Sequence, residues 1–377
     1  MATPTDATAP TQTTAPAPVV PRADRQAYVD LFRGLLIAHM ALDHASLMFN
    51  RGRPGEELAA VPPAAPADFL QFLTRFTGVP VAPAFFFMAG FMVALTSLSR
   101  GARGLPESEI TRRLVIRGLV LIAVDALIMG IPRLAGGYYS FVVLSCIGAS
   151  LIVLAFARRL STRILLPAAL AVLALHPLLD VSALPVPLRA VLHDAIRSGG
   201  FRSLYPVIPW VAVVVLGFVV GRDAAGRADP ERRWLKLAAL SLAAFLAVRL
   251  PGGYGNAYAF SSYTGLDFWS FAKYPPDLAF LTWSFAAVFL GLALLRWLTR
   301  NGVPLVLRPF VWYGRVPFFF YVVHFYVLGL SQGALHRRFG LGGTFVVWLL
   351  LLAVMAGPCV WYYRKKRDRP NFITRYF

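Results

Sequence analysis

Ten apolar stretches, each long enough to cross a bilayer, recur along this 377-residue chain and leave little room for another architecture. They lie near residues 28–49, 76–98, 114–131, 138–156, 164–180, 204–221, 234–250, 278–298, 310–331 and 341–363. A spanning helix needs roughly 17–25 predominantly apolar residues. Inside the hydrocarbon core every backbone N–H and C=O must find a partner within the protein, so only helices and closed barrels qualify. A barrel would show short segments of alternating polarity, and the sequence has none. Hydrophobic residues form 58% of the chain and its mean hydropathy is +0.62, above the apolar share of soluble domains. The expected fold is all-α, a polytopic membrane protein with about ten transmembrane helices.

The net charge of +19 would suit nucleic acid, but its distribution points elsewhere. With the N-terminus placed in the cytoplasm, 23 of the 37 Lys and Arg fall on the inner side and 11 on the outer. Arg33, Arg117 and Arg315 lie within spans. This is the positive-inside pattern, and an even number of spans puts both termini in the cytoplasm. The run Arg364-Lys-Lys-Arg367 then reads as a topology signal beside anionic lipid, with no nucleic-acid partner. Three regions are expected: a disordered cytoplasmic tail over 1–25, a membrane domain over 26–363, and a basic cytoplasmic tail over 364–377. Cys146 and Cys359 both fall in apolar stretches and form no CxxC motif. Apolar helix faces suit lipid and a second subunit equally, so a homo-oligomer is compatible with the sequence.

The first span is unusual. Asp30, Arg33, His39, Asp43 and His44 all sit in a stretch otherwise fit for lipid. Ionisable groups at that depth are costly and normally face a protein-lined or watery cavity. Arg33 and His44 are eleven residues apart, close to three helical turns, so they share a face about 16 Å apart along the axis at roughly 1.5 Å per residue. Asp30, Arg33, Ile37, Met40 and His44 form one stripe, with His39 and Asp43 as i,i+4 partners beside it. That pair alone is a poor metal site, and no HExxH or Cys cluster supports one. Two long outer loops, 50–75 and 251–277, join the spans, and the second carries Trp269, Lys273 and Tyr274 among many aromatics. Aromatic rings with neighbouring Asp and Asn suit sugar rings; the plainer reading is an interfacial belt. The inner loops are too short for a soluble catalytic domain, so chemistry must sit within the bundle or at its outer mouth.

Four stretches carry a family resemblance: Asp30-Leu-Phe-Arg-Gly34 with Asp43-His44, Pro83-Ala-Phe-Phe-Phe-Met-Ala-Gly90, Lys273-Tyr-Pro-Pro276, and Gly314-Arg-Val-Pro-Phe-Phe-Phe-Tyr-Val-Val-His324. In order and spacing they resemble bacterial relatives of heparan-α-glucosaminide N-acetyltransferase, over about residues 26–331. The resemblance implies a multi-pass acyltransferase of the bacterial inner membrane. It would take an acetyl group from cytoplasmic acetyl-CoA and deliver it to a carbohydrate or glycolipid amine or hydroxyl on the far side, with no metal. The sequence departs from the animal lysosomal enzyme, whose catalytic histidine follows the first helix; here the nearest match, His44, lies within it.

On that reading His44 is the candidate base or acyl carrier, since a histidine poised near neutrality suits proton removal from an attacking amine or hydroxyl. Asp43, about 100° round the helix, would orient His39 or the acceptor. Asp125 is either an orienting partner for His44 or a structural partner of an arginine. Arg33 and Arg315 are candidates for the CoA phosphates, with Asp30 either part of that site or an ion-pair partner fixing the helix start. In a continuous ninth helix Arg315 and His324 would face opposite sides; His324 is a second proton-transfer candidate. Lys273, with Trp269 and Tyr274, would meet the acceptor. The rival from another class is a proton-coupled transporter or exporter of a small solute or lipid-linked sugar, because buried Asp and His also build proton relays.

Overall fold

The computed structural model describes residues 27–198 and 200–371, so the tail expected over 1–25 lies outside the described residues. Fourteen α-helices carry the fold among these residues. In chain order they are α1 (Ala27–Phe49), α2 (Phe69–Phe76), α3 (Val81–Gly101), α4 (Glu107–Ala123), α5 (Ile131–Ala135), α6 (Val143–Ala157) and α7 (Thr162–Leu175). They continue as α8 (Val186–Leu192), α9 (Val207–Ala225), α10 (Glu231–Arg249), α11 (Leu278–Leu298), α12 (Arg308–Arg315), α13 (Pro317–Leu335) and α14 (Leu341–Asp368). Strands β1 (Tyr139–Phe141), β2 (Ile196–Ser198) and β3 (Phe201–Ser203) form one small sheet, ordered β1-β3-β2, with β3 parallel to β1 and antiparallel to β2.

Five helical stretches are long and apolar enough to cross a membrane: Phe69–Gly101, Val207–Ala225, Leu278–Leu298, Pro317–Leu335 and Leu341–Asp368. Each of the other expected spans is also mostly helical, but shorter or more charged. The details differ from the expected ten rods in three places. The third span continues past Ala123 as a π-helical turn, Val124–Ile128. The ninth is two helices, because Val316 leaves the helical region (φ −132°, ψ 49°) and Pro317, which has no N–H to give, opens α13. The basic run at 364–367 prolongs α14 to Asp368, where a separate tail was expected from residue 364.

Helix α1 is central, packed against α3, α11, α12, α13 and α14 and buried along most of its length. Its crossing with α12 is backbone on backbone. A Cβ on Gly34 would lie 1.7 Å from the Phe310 carbonyl oxygen, and one on Gly314 would lie 1.7 Å from that of Asp30. Small residues allow such approaches where lipid gives no hydrophobic drive to associate. The contact explains why glycine follows Arg33 and precedes Arg315.

The two long loops are folded onto one another. The Glu57 carbonyl accepts from the backbone N–H groups of Lys273 (3.0 Å) and Tyr274 (3.1 Å), and Ala59 N–H donates to the Tyr274 carbonyl (2.9 Å). Fully buried Arg249 donates to the carbonyls of Phe268 (2.8 Å), Asp267 (2.9 Å) and Tyr258 (3.0 Å), which organises the second loop around one guanidinium. Asp277 caps α11 by accepting from Phe280 N–H at 2.7 Å.

Gly34→Ala should destabilise the protein by about 1–3 kcal/mol through overpacking at the α1–α12 crossing. Gly357→Ala in α14, where an added Cβ meets nothing within 4 Å, should not. Thermal unfolding in detergent compares the two.

Candidate functional site

One elongated cavity of about 870 Å³ runs through the bundle beside α1. Arg33, Ile37, Met40 and His44, the stripe expected from helical spacing, all line it. At the Arg33 end it is also lined by Arg117, Arg315 and Lys366, so four cations from α1, α4, α12 and α14 converge there. At the His44 end the lining is mixed in charge, with Arg53, Glu56, Arg133, Arg202, Lys273 and Tyr274. The walls are apolar, and five of the chain's seven methionines contribute: Met40, Met48, Met88, Met92 and Met129.

His44, which lines the cavity, meets His324, which stands behind it and does not. His44 Nδ1 lies 2.8 Å from His324 Nε2, with the rings nearly parallel at 13°. His324 has no exposed surface, and its Nδ1 lies 2.8 Å from the Phe320 carbonyl oxygen one turn earlier in α13. Phe325 packs against the His44 ring at a centroid distance of 4.4 Å. The histidines are 280 positions apart in sequence, and their pairing was not an expectation.

Asp43 takes a partner that was not considered, whereas Asp125 and Asp30 take the arginine partners held as alternatives. Asp43 Oδ1 accepts from Arg53 Nη1 at 2.7 Å, and the same nitrogen reaches the Asp43 carbonyl at 2.9 Å. His39 Nε2 instead lies 3.3 Å from Thr77 Oγ1, so Asp43 orients neither histidine. Asp125, fully buried, accepts from the N–H groups of Val142 (3.2 Å) and Ser145 (3.0 Å) and faces Arg133 at 3.4 Å. It therefore anchors the start of α6 and a cavity arginine, and it is not the partner of His44. Asp30 lies between two arginines, 3.6 Å from Arg33 and 3.4 Å from Arg315. It does not line the cavity, which makes it their shared counter-ion rather than a ligand-binding group.

The break at Val316 changes the expected relation between Arg315 and the rest of the ninth span. In a continuous helix Arg315 and His324 would point apart. With the chain re-aimed at Pro317, Arg315 faces the cavity from α12 while His324, from α13, meets His44. Arg315 is also held over the rings of Trp312 (4.8 Å) and Tyr363 (5.0 Å).

Of the three expected acceptor contacts, Lys273 and Tyr274 line the cavity and Trp269 does not. Trp269 packs instead against Phe76 of α2, Phe245 of α10, Trp283 of α11 and its neighbour Phe268. Lys273 Nζ lies over the rings of Tyr274 (5.2 Å) and Tyr205 (6.0 Å). Burial works against its charge, but Tyr205, Asp43 and Glu57 outweigh that and hold its pKa above the ordinary lysine value. Arg53, Glu56, Arg117, Arg133, Arg202, Tyr205 and Lys366 were not read as site residues. Arg117 alone gave a signal, as an arginine within a span. Among the described residues no three His, Cys, Asp or Glu side chains gather as metal ligands.

Asp125→Ala should cost about 3–5 kcal/mol, because it strands Arg133 and two backbone N–H groups at the start of α6. A large fall in melting temperature checks this; an unchanged one would assign the α6 anchor elsewhere.

Residues 25–251, from α1 through α10, match the family described as heparan-α-glucosaminide N-acetyltransferase, catalytic. No curated protein matches the chain.

Proposed function

The chain belongs to the heparan-α-glucosaminide N-acetyltransferase family, and from that footing we propose that it transfers an acetyl group from acyl-CoA to a carbohydrate amine or hydroxyl across a membrane. One observation carries the reading: a single cavity joins a cluster of four cations to His44, whose ring is backed by His324. Arg33 and His44 are about 16 Å apart along α1 at roughly 1.5 Å per residue. Arg33, Arg117, Arg315 and Lys366 are suited to the phosphates of CoA, with guanidinium forks matching phosphate geometry. Ile37 and Met40, between Arg33 and His44 on the same stripe, would line the path of the pantetheine arm, which would place the thioester beside His44.

His44 would take a proton from the acceptor N–H or O–H as that atom attacks the thioester carbonyl. The new C–N or C–O bond forms, the C–S bond breaks, and the CoA thiolate leaves. Lys273, Tyr274, Arg202 and Glu56 would bind the acceptor at the other end. In this reading α1, α3, α4, α6, α7, α9, α10, α11, the α12–α13 pair and α14 make ten crossings, with both termini and the cation cluster cytoplasmic and the domain spanning 26–363. The excess of Lys and Arg on that side supports the orientation, and a bacterial inner membrane suits it. Family membership favours transfer over the proton-coupled transport that buried acids and histidines left open.

Acetyl-CoA at about 100 times its dissociation constant should stabilise the detergent-purified protein by roughly 2.7 kcal/mol. Arg117→Gln should weaken that shift, whereas inorganic sulfate should not reproduce it. His44→Gln should keep the shift and lower acetyl transfer to an aminosugar by roughly 10²–10⁴-fold. The absence of both stabilisation and transfer at millimolar acetyl-CoA would rule this function out.

A further inference from the structure

The hydrogen-bond chain behind His44 has a direction that its chemistry imposes. A carbonyl oxygen can only accept, so the 2.8 Å contact between His324 Nδ1 and the Phe320 carbonyl requires a proton on Nδ1. In the neutral ring His324 Nε2 is then a bare lone pair. That lone pair faces His44 Nδ1 at 2.8 Å, so the proton between the two rings belongs to His44. A neutral His44 protonated at Nδ1 leaves its Nε2 unprotonated. No side chain or backbone group among the described residues hydrogen-bonds that nitrogen, and it is not among the buried unpartnered atoms. His44 itself lines the cavity.

We propose that His324 is a positioning residue that sets the tautomer of His44, so that His44 Nε2 meets the cavity as a free lone pair. The Phe320 carbonyl is the anchor: fixed in the backbone of α13, it selects the His324 tautomer, and His324 passes the selection on. In metal and hydrolytic sites a carboxylate commonly holds the far nitrogen of a working histidine. Here a second histidine, itself held by a backbone carbonyl, does so without placing another negative charge inside the bundle. The role given to this lone pair rests on the acyl-transfer reading above; the tautomer itself does not.

The two are tested separately. Nitrogen-15 spectra of protein labelled at its six histidines distinguish Nδ1–H from Nε2–H rings, with His44 and His324 assigned by single substitution. Both should carry Nδ1–H at neutral pH. His324→Gln, whose side-chain carbonyl keeps an acceptor within reach of His44 Nδ1, should leave His44 as Nδ1–H. His324→Leu should release His44 to the commoner Nε2–H form. In the transfer assay the Gln variant should stay within about tenfold of the parent, and the Leu variant should lose roughly 10²-fold or more in kcat with little change in the KM for acetyl-CoA. An Nε2–H signal for His44 in the parent protein, or an unchanged Nδ1–H signal in a folded Leu variant, overturns the proposal. A parent protein that shows both Nδ1–H signals but no acetyl transfer overturns the acyl-transfer reading alone.

Discussion

The backbone contact between α1 and α12 governs the geometry of the cavity. Two glycines, Gly34 and Gly314, bring the helices so close that each accepts the other's main chain where a side chain would stand. That closeness sets Asp30 between Arg33 and Arg315, and one carboxylate then serves two guanidinium groups that the bundle must hold at depth. Removing the approach would separate the charges as well as the helices. Packing and electrostatics are therefore coupled at this crossing, because ionisable groups tolerated in such a place need both a partner and a polar space to face.

The remaining polar groups follow the same logic in different ways. Asp43 is matched by Arg53 from the following loop, and Asp125 by Arg133 and two N–H groups. Each acid near the cavity thus has a structural counter-charge, while His44 keeps one nitrogen unengaged. The contrast separates cavity-lining groups whose charge is already matched from the His44 ring nitrogen left without a partner among the described residues.

Much of α1 was legible in the sequence, because helical periodicity needs only the spacing of Arg33, Ile37, Met40 and His44. His324 stood out as a histidine in an apolar run, but its pairing with His44 depends on how α1 and α13 cross, which no local pattern records. The same limit applies to Arg117 and Lys366: the first stands out as an arginine within a span and the second belongs to the charge bias that orients a membrane chain, but only the packing of α4 and α14 turns them towards one space. Trp269 was misplaced for a different reason. A loop rich in aromatic rings can face a ligand or pack on the bundle, and with its carbonyls gathered by buried Arg249 this one lays Trp269 against α2, α10 and α11. The break in the ninth span had a local sign in Gly314 and Pro317, yet its effect, which is to let Arg315 face the cavity despite its spacing from His324, is a matter of three-dimensional direction.

The methionine walls carry a chemical consequence of their own. A thioester is lost to water whenever water reaches its carbonyl beside a competent base. Ile37 and Met40 stand between Arg33 and His44 on α1, and thioether and aliphatic side chains offer water few hydrogen-bond partners. On the acyl-transfer reading, an activated acyl group held along such a wall would be shielded from hydrolysis until an acceptor arrived from the other end. In a catalyst of this shape the yield per donor consumed is governed less by the base than by the dryness of the passage leading to it.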